Sequence, residues 1–137
     1  MELKGPFFTI VAGIPNMGKS NFIKYIMLQN HEKYSANPFR YGVVFTKTKF
    51  EGAYKFVPNK FVHSSYDPEV LQNFLKIQED SEAKHRAFII FDDCLDVKCF
   101  ASQLFVDLVT QYRHWNISVL IATQYIYRVP PTVRECC

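Results

Sequence analysis

The segment Gly13-Ile14-Pro15-Asn16-Met17-Gly18-Lys19-Ser20 restricts the possible folds of this chain more than any other stretch. Glycines at both ends let a short loop turn its amide groups inward around an anion. Lys19 then supplies a cation to the β- and γ-phosphates of a nucleotide, and the Ser20 hydroxyl supplies a ligand to Mg²⁺. A chance match is the alternative. The loop stands, however, between a continuous apolar run, Phe7 to Ala12, and a helical pattern from Gly18 to Gln29 with Phe22, Ile23, Ile26 and Met27 on one face. Strand, loop and helix in that order are the context a phosphate-binding (Walker A) loop requires, because the helix aims its positive N-terminus at the same anion. ATP or a related nucleotide with Mg²⁺ is therefore the expected ligand, lined by Gly13, Ile14, Pro15, Asn16, Met17, Gly18, Lys19, Ser20 and Asn21.

A second strand carries acids. Phe88-Ile89-Ile90-Phe91 runs into Asp92-Asp93, and an acid at the tip of a buried apolar strand holds hydrated Mg²⁺ beside a triphosphate. Asp92 takes that metal role together with Ser20. Asp93 stands where NTPases with an additional sheet strand usually have Glu, the base that polarises the attacking water, although Asp is one methylene shorter. The plain alternative is a strand ending in a turn with two capping acids. In that class an extra strand lies between the loop strand and the acidic strand. Ile117 to Ala122 fits it and ends in Thr123-Gln124; Gln124 can donate to a phosphate oxygen and accept from water, or simply cap a strand end.

The remaining pattern alternates strands and helices. Tyr41 to Thr46 and Phe61 to His63 read as strands. Asp67-Pro68-Glu69 opens a helix with a capping side chain, a first-turn proline and an acid near the dipole, and Val70, Leu71, Phe74, Leu75 and Gln78 share its inner face. Glu79-Asp80-Ser81-Glu82 reads as a solvated loop. Ala101, Leu104, Phe105, Leu108, Val109 and Tyr112 form one unbroken helical stripe. The expected fold is α/β: one domain over 1–137, with a mainly parallel central sheet of the additional-strand type and helices on both faces.

Composition excludes several classes. A chain of 137 residues, 48% of them apolar, buries a core without disulfides. The formal charge of +3 is too mild to establish nucleic-acid binding by itself. Cys94, Cys99, Cys136 and Cys137 have no metal-ligand spacing, and His31, His63, His85 and His114 are scattered. No apolar run approaches the ~20 residues of a membrane span, and the N-terminus shows no secretory signal, so a cytosolic protein with ordinary thiols and no membrane partner is expected.

Beyond the two phosphate-site motifs, Arg113-His114-Trp115-Asn116-Ile117-Ser118, Thr123-Gln124 and Val129-Pro130-Pro131-Thr132-Val133-Arg134 follow in order. Together they resemble the genome-packaging ATPases of large double-stranded DNA viruses, the poxvirus-type branch of the FtsK–HerA superfamily. The resemblance spans nearly the whole chain. It implies an ATP-driven motor, a homo-oligomeric ring that pumps double-stranded DNA into a capsid, acting in host cytoplasm or virion. It also implies an arginine delivered to a neighbour's γ-phosphate. Arg113, closing the striped helix, matches the family's segment and is expected to be carried toward the sheet's carboxyl edge; Arg128 and Arg134 are rivals, and a helix C-terminal charge complementing the dipole is the plain alternative. Members continue past the Pro-Pro-x-x-Arg segment with another strand and helices, so a fragment is expected here. A helicase or other remodelling ATPase, and a slowly hydrolysing regulatory module, remain open.

Residues 45–61 interleave Lys47, Lys49, Lys55 and Lys60 with Phe45, Phe50, Tyr54 and Phe56, against one acid, Glu51. Charge of this kind tracks a phosphate backbone and rings stack on bases, or the segment is a solvated loop with its rings packed on the core.

Overall fold

Strands that carry apolar side chains on both faces must be covered on both, and the computed structural model, which describes residues 5–13, 19–31, 35, 37–47, 54, 56–124 and 126–136, has that arrangement. The strands are β1 (Phe8–Ala12), β2 (Tyr41–Thr46), β3 (Val62–His63), β4 (Ala87–Asp92) and β5 (Ile117–Thr123); the helices are α1 (Lys19–Gln29), α2 (Pro68–Asp80), α3 (Val97–Ala101), α4 (Gln103–Gln111) and α5 (Pro131–Arg134). All pairings are parallel, in the order β1-β5-β4-β2-β3. The strand ending in Thr123 thus lies between the loop strand and the acidic strand, as expected for the additional-strand class.

Alternate residues of each strand supply two cores. On one face Val43, Phe45, Ile89, Phe91, Val119 and Ile121 pack with Leu71 and Phe74 of α2 and Phe105 and Leu108 of α4. On the other, Val44, Phe88, Ile90 and Leu120 pack with Ile23 and Ile26 of α1, Tyr54 and Val57. Gly42 is required here by close approach: a Cβ would meet the Phe88 ring at 2.4 Å.

The structure departs from the sequence expectations in four places. The striped helix is two helices. Ser102, extended at φ −69°, ψ 144°, ends α3 and caps α4 by accepting from the Phe105 amide, a cap the hydrophobic stripe conceals because its period continues across the break. Phe22, assigned to the inner face of α1, is 41% exposed. Glu79 and Asp80 belong to α2 rather than to a loop, and Glu79 accepts from Trp115 Nε1 at 2.8 Å and lies 3.2 Å from His114 Nε2. Phe61 closes a short 3₁₀ turn, so β3 begins at Val62. Asp67 does cap α2, accepting from the Glu69 amide at 2.9 Å.

Two buried polar side chains lock the helices to the sheet's amino edge. Gln78 donates to the carbonyls of His85 and Trp115 and accepts from the Tyr41 hydroxyl. Arg86 is 1% exposed and binds neutral partners: Asn30 Oδ1 at 2.5 Å and the carbonyls of Asn37 and Gly5 at 2.9 Å, with Phe39 4.4 Å from its guanidinium. Burial pulls its pKa below the usual range, and its Nε finds no acceptor among the described residues. Arg86→Met takes the guanidinium donor from the buried Asn30 Oδ1 and from two partly buried carbonyls, so it should destabilise the fold by about 3 kcal/mol. Chemical denaturation reads this directly, and the melting temperature should fall by about 10 °C. A loss below about 1 kcal/mol would mean that these bonds contribute little beyond what water offers.

Candidate nucleotide site

In an open parallel sheet the ligand crevice lies at the carboxyl ends of the strands. Register aligns those ends. Ala12 pairs with Thr123, Asp92 with Ala122, and Thr46 with Asp92, so with strands about 4.8 Å apart and a rise of about 3.3 Å per residue Gly13 and Asp92 stand about 12 Å from each other. The Gly13 amide donates to the Thr123 carbonyl at 3.1 Å, tying the start of the phosphate loop to the tip of β5. The loop itself, Ile14, Pro15, Asn16, Met17 and Gly18, lies outside the described residues, as do the side chains of Lys19, Ser20 and Asn21; the backbone of these last three forms the first turn of α1.

Asp93 has left-handed backbone, φ 51°, a conformation that short polar side chains tolerate better than most. Its amide donates to the Ala122 carbonyl at 2.9 Å, and its Oδ1 accepts from the Gln124 amide at 3.0 Å. The turn therefore clips the tip of β4 to the tip of β5 and sets Asp93 and Gln124 side by side.

Asp92 points into a polar corner. Its Oδ2 accepts from the Tyr54 hydroxyl at 2.7 Å, and Thr46 Oγ1 lies 3.5 Å away. Oxygen donors of this kind, with the Ser20 hydroxyl assigned from sequence, suit a hard cation such as Mg²⁺. Burial pushes the neighbouring Cys94 thiol up to about 12. Sequence reasoning placed Tyr54 in the basic segment and missed its contact with Asp92. It stands 38 residues before Asp92, in a segment with no periodicity, and nothing short of the tertiary structure links the two.

Arg113 does not join this group. It is exposed, with its guanidinium 5.0 Å from the Tyr112 ring centre. The chain then enters β5 at Ile117, which pairs with Ala87, the first residue of β4. Arg113 therefore lies at the sheet's amino edge, about 16 Å along the strand from the level of Asp92, and the expectation of its delivery to the carboxyl edge is corrected. The reason is general: a helix joining two parallel strands runs back against them, so its last turn faces away from the ligand crevice. Arg128 lies in the 3₁₀ turn Ile126–Arg128, just beyond the tip of β5 at the sheet's carboxyl edge.

The basic segment is also redistributed. Lys49, Phe50, Glu51 and Lys55 lie outside the described residues. Phe45 and Tyr54 are buried and unavailable for base stacking, whereas Lys47, Phe56 and Lys60 are exposed. A largely apolar cavity of about 500 Å³ lies at the amino edge between the end of α1 and Tyr41, Gly42 and Phe88. It lies at the opposite edge of the sheet from Gly13 and Asp92, and its lining is not that of a phosphate site. No helix among the described residues is long and apolar enough to cross a membrane.

No protein-family model matches the sequence. The chain is 30% identical over 132 residues to uncharacterized protein 075L of Invertebrate iridescent virus 6, covering 91% of this chain and 49% of that protein. It is likewise 30% identical over 133 residues to uncharacterized protein 015R of Frog virus 3, covering 92% of this chain and 40% of that protein. The chain thus spans half or less of the length of these curated relatives. Among solved structures, it superposes on the genome packaging NTPase B204 of Sulfolobus turreted icosahedral virus 2, solved with ATP-gammaS, at a TM-score of 0.64 and 16% identity over 96% of this chain and 71% of that one. The cytoplasmic domain of the Type VII secretion ATPase EccC of Thermomonospora curvata gives a TM-score of 0.64 at 14% identity, over 96% of this chain and 18% of that one. The strand order and these superpositions agree: this chain has the fold of the P-loop NTPases, with an additional strand between the loop strand and the acid-tipped strand.

Proposed function

We propose that this chain binds and hydrolyses ATP with Mg²⁺, and that the protein uses the energy to move double-stranded DNA into a viral capsid as a member of the FtsK–HerA packaging motors. The observation that carries the nucleotide reading is the alignment of Gly13, Asp92, Asp93 and Gln124 on one sheet edge. The resemblance of the Arg113–Ser118 and Pro-Pro-x-x-Arg segments to packaging ATPases, and the superposition on a viral genome packaging NTPase, support the choice of motor.

Each residue then has a task. Lys19 and the inward amides of the loop cradle the β- and γ-phosphates, while Ser20 and Asp92 hold the cation. Mg²⁺, when bound, neutralises charge on the phosphate oxygens. Asp93 takes a proton from the attacking water, and Gln124, clipped beside it, orients that water against the γ-phosphate. Arg113 is too far to serve its own site, so any catalytic role for it crosses a subunit boundary in a ring. Arg128 is the alternative on the near edge.

Duplex DNA should stimulate phosphate release without strand separation; strand separation would indicate a helicase instead. Replacing Lys47, Lys49 and Lys55 together by Ala should flatten the salt dependence of duplex binding by about one log–log unit for each phosphate no longer neutralised. An unchanged slope in a salt titration would return the segment to an ordinary solvated loop.

A further inference from the structure

We infer that Tyr54 is a positioning residue for the metal-binding carboxylate, orienting Asp92 toward the nucleotide-bound cation through its phenolic hydroxyl. The inference rests on the nucleotide site proposed above and adds a residue that no motif contains.

Three observations carry it. The Tyr54 hydroxyl lies 2.7 Å from Asp92 Oδ2, whereas Thr46 Oγ1, the neighbour supplied by the adjacent strand, is at 3.5 Å. A bond of the first length to a charged acceptor is strong and directional, and one of the second is marginal. Tyr54 is itself fixed: it is 5% exposed, its ring is 5.8 Å from that of Phe56, and it belongs to the core cluster that contains Ile23 and Ile26 of α1. The ring that reaches Asp92 is therefore built into the same core as the helix that begins with Lys19 and Ser20.

Outer-shell donors of this kind fix the orientation of the carboxylate that faces a cation. The competing explanation is that Asp92 merely satisfies a buried phenol, which needs an acceptor in any case. The two differ in one measurable respect. A positioning bond affects the cation, and a satisfied core tyrosine affects only stability.

The experiment is a binding titration of ATP-gammaS at stepped Mg²⁺ concentrations and in EDTA, on the wild-type protein and on Tyr54→Phe, which removes only the hydroxyl. The expected result is a Mg²⁺ midpoint raised about 10- to 100-fold, with metal-free nucleotide affinity unchanged. In an Asp92→Asn background the same substitution should add nothing, because the two act as a unit. A Tyr54→Phe protein that melts lower yet keeps the wild-type Mg²⁺ midpoint overturns the inference and leaves the nucleotide site standing. Absence of nucleotide binding by the wild type overturns both. If Tyr54→Phe does not fold, 4-methylphenylalanine at position 54 fills the hydroxyl's volume without donating a hydrogen bond; an unmoved Mg²⁺ midpoint in that protein is equally fatal.

Discussion

Lys19→Ala should fold normally and bind ATP ~30- to 5,000-fold more weakly than wild type, a loss of about 2–5 kcal/mol. The size reflects the group that is removed. In the proposed site a triphosphate would meet backbone amides, the positive end of α1 and one motif lysine, of which only the lysine would bring a full charge. Removing it leaves phosphate oxygens desolvated and unpaired, which costs more than the interaction itself is worth. The fold should survive, because the cores beneath the sheet are built from Ile23, Ile26, Val44, Ile90 and their neighbours. Equilibrium binding of a fluorescent ATP analogue, with a thermal melt as the control, measures both. Wild-type affinity in a well-folded Lys19→Ala protein would remove the phosphate-loop assignment.

The adjacent acids should separate cleanly. Asp92→Asn is expected to weaken Mg²⁺-dependent nucleotide binding, because it removes the negative charge from the carboxylate assigned to the cation. Asp93→Asn is expected to keep MgATP bound and to lower turnover by about 10²- to 10⁴-fold, the usual contribution of a positioned general base. Asparagine at 93 retains an oxygen that can still accept from the Gln124 amide, the bond seen at 3.0 Å, so the clip between β4 and β5 should persist while the proton acceptor is lost. Binding and single-turnover phosphate release, measured side by side on both variants, decide the matter. Equal binding defects in the two would make Asp93 a residue of the metal corner or of the turn, and the role of base would pass elsewhere.

The fold was legible because its signals are local. The apolar run 88–91, the Asp67-Pro68-Glu69 helix start and the glycine-bracketed loop each act within a few residues, and strand, loop and helix emerged from them. The parallel sheet came in turn, since strands with no polar face must be covered twice. The break at Ser102 was hidden for an equally local reason: a stripe of period 3.6 reads the same whether or not one residue within it leaves the helix.

The sequence by itself singled out the residues proposed for phosphate chemistry and the strands that bear them. Gly13, Lys19, Ser20, Asp92, Asp93 and Gln124 are recognisable because each stands close to a junction between a strand and the next loop or helix. Only the tertiary structure decided who stands next to whom. It set the Gln124 amide on Asp93, brought Tyr54 across 38 residues to Asp92, sent Arg113 to the opposite edge of the sheet and buried Arg86 among neutral partners. The physical reason is that a motif specifies a local backbone shape, whereas these contacts depend on strand order and register, which are set by the packing of all five strands at once.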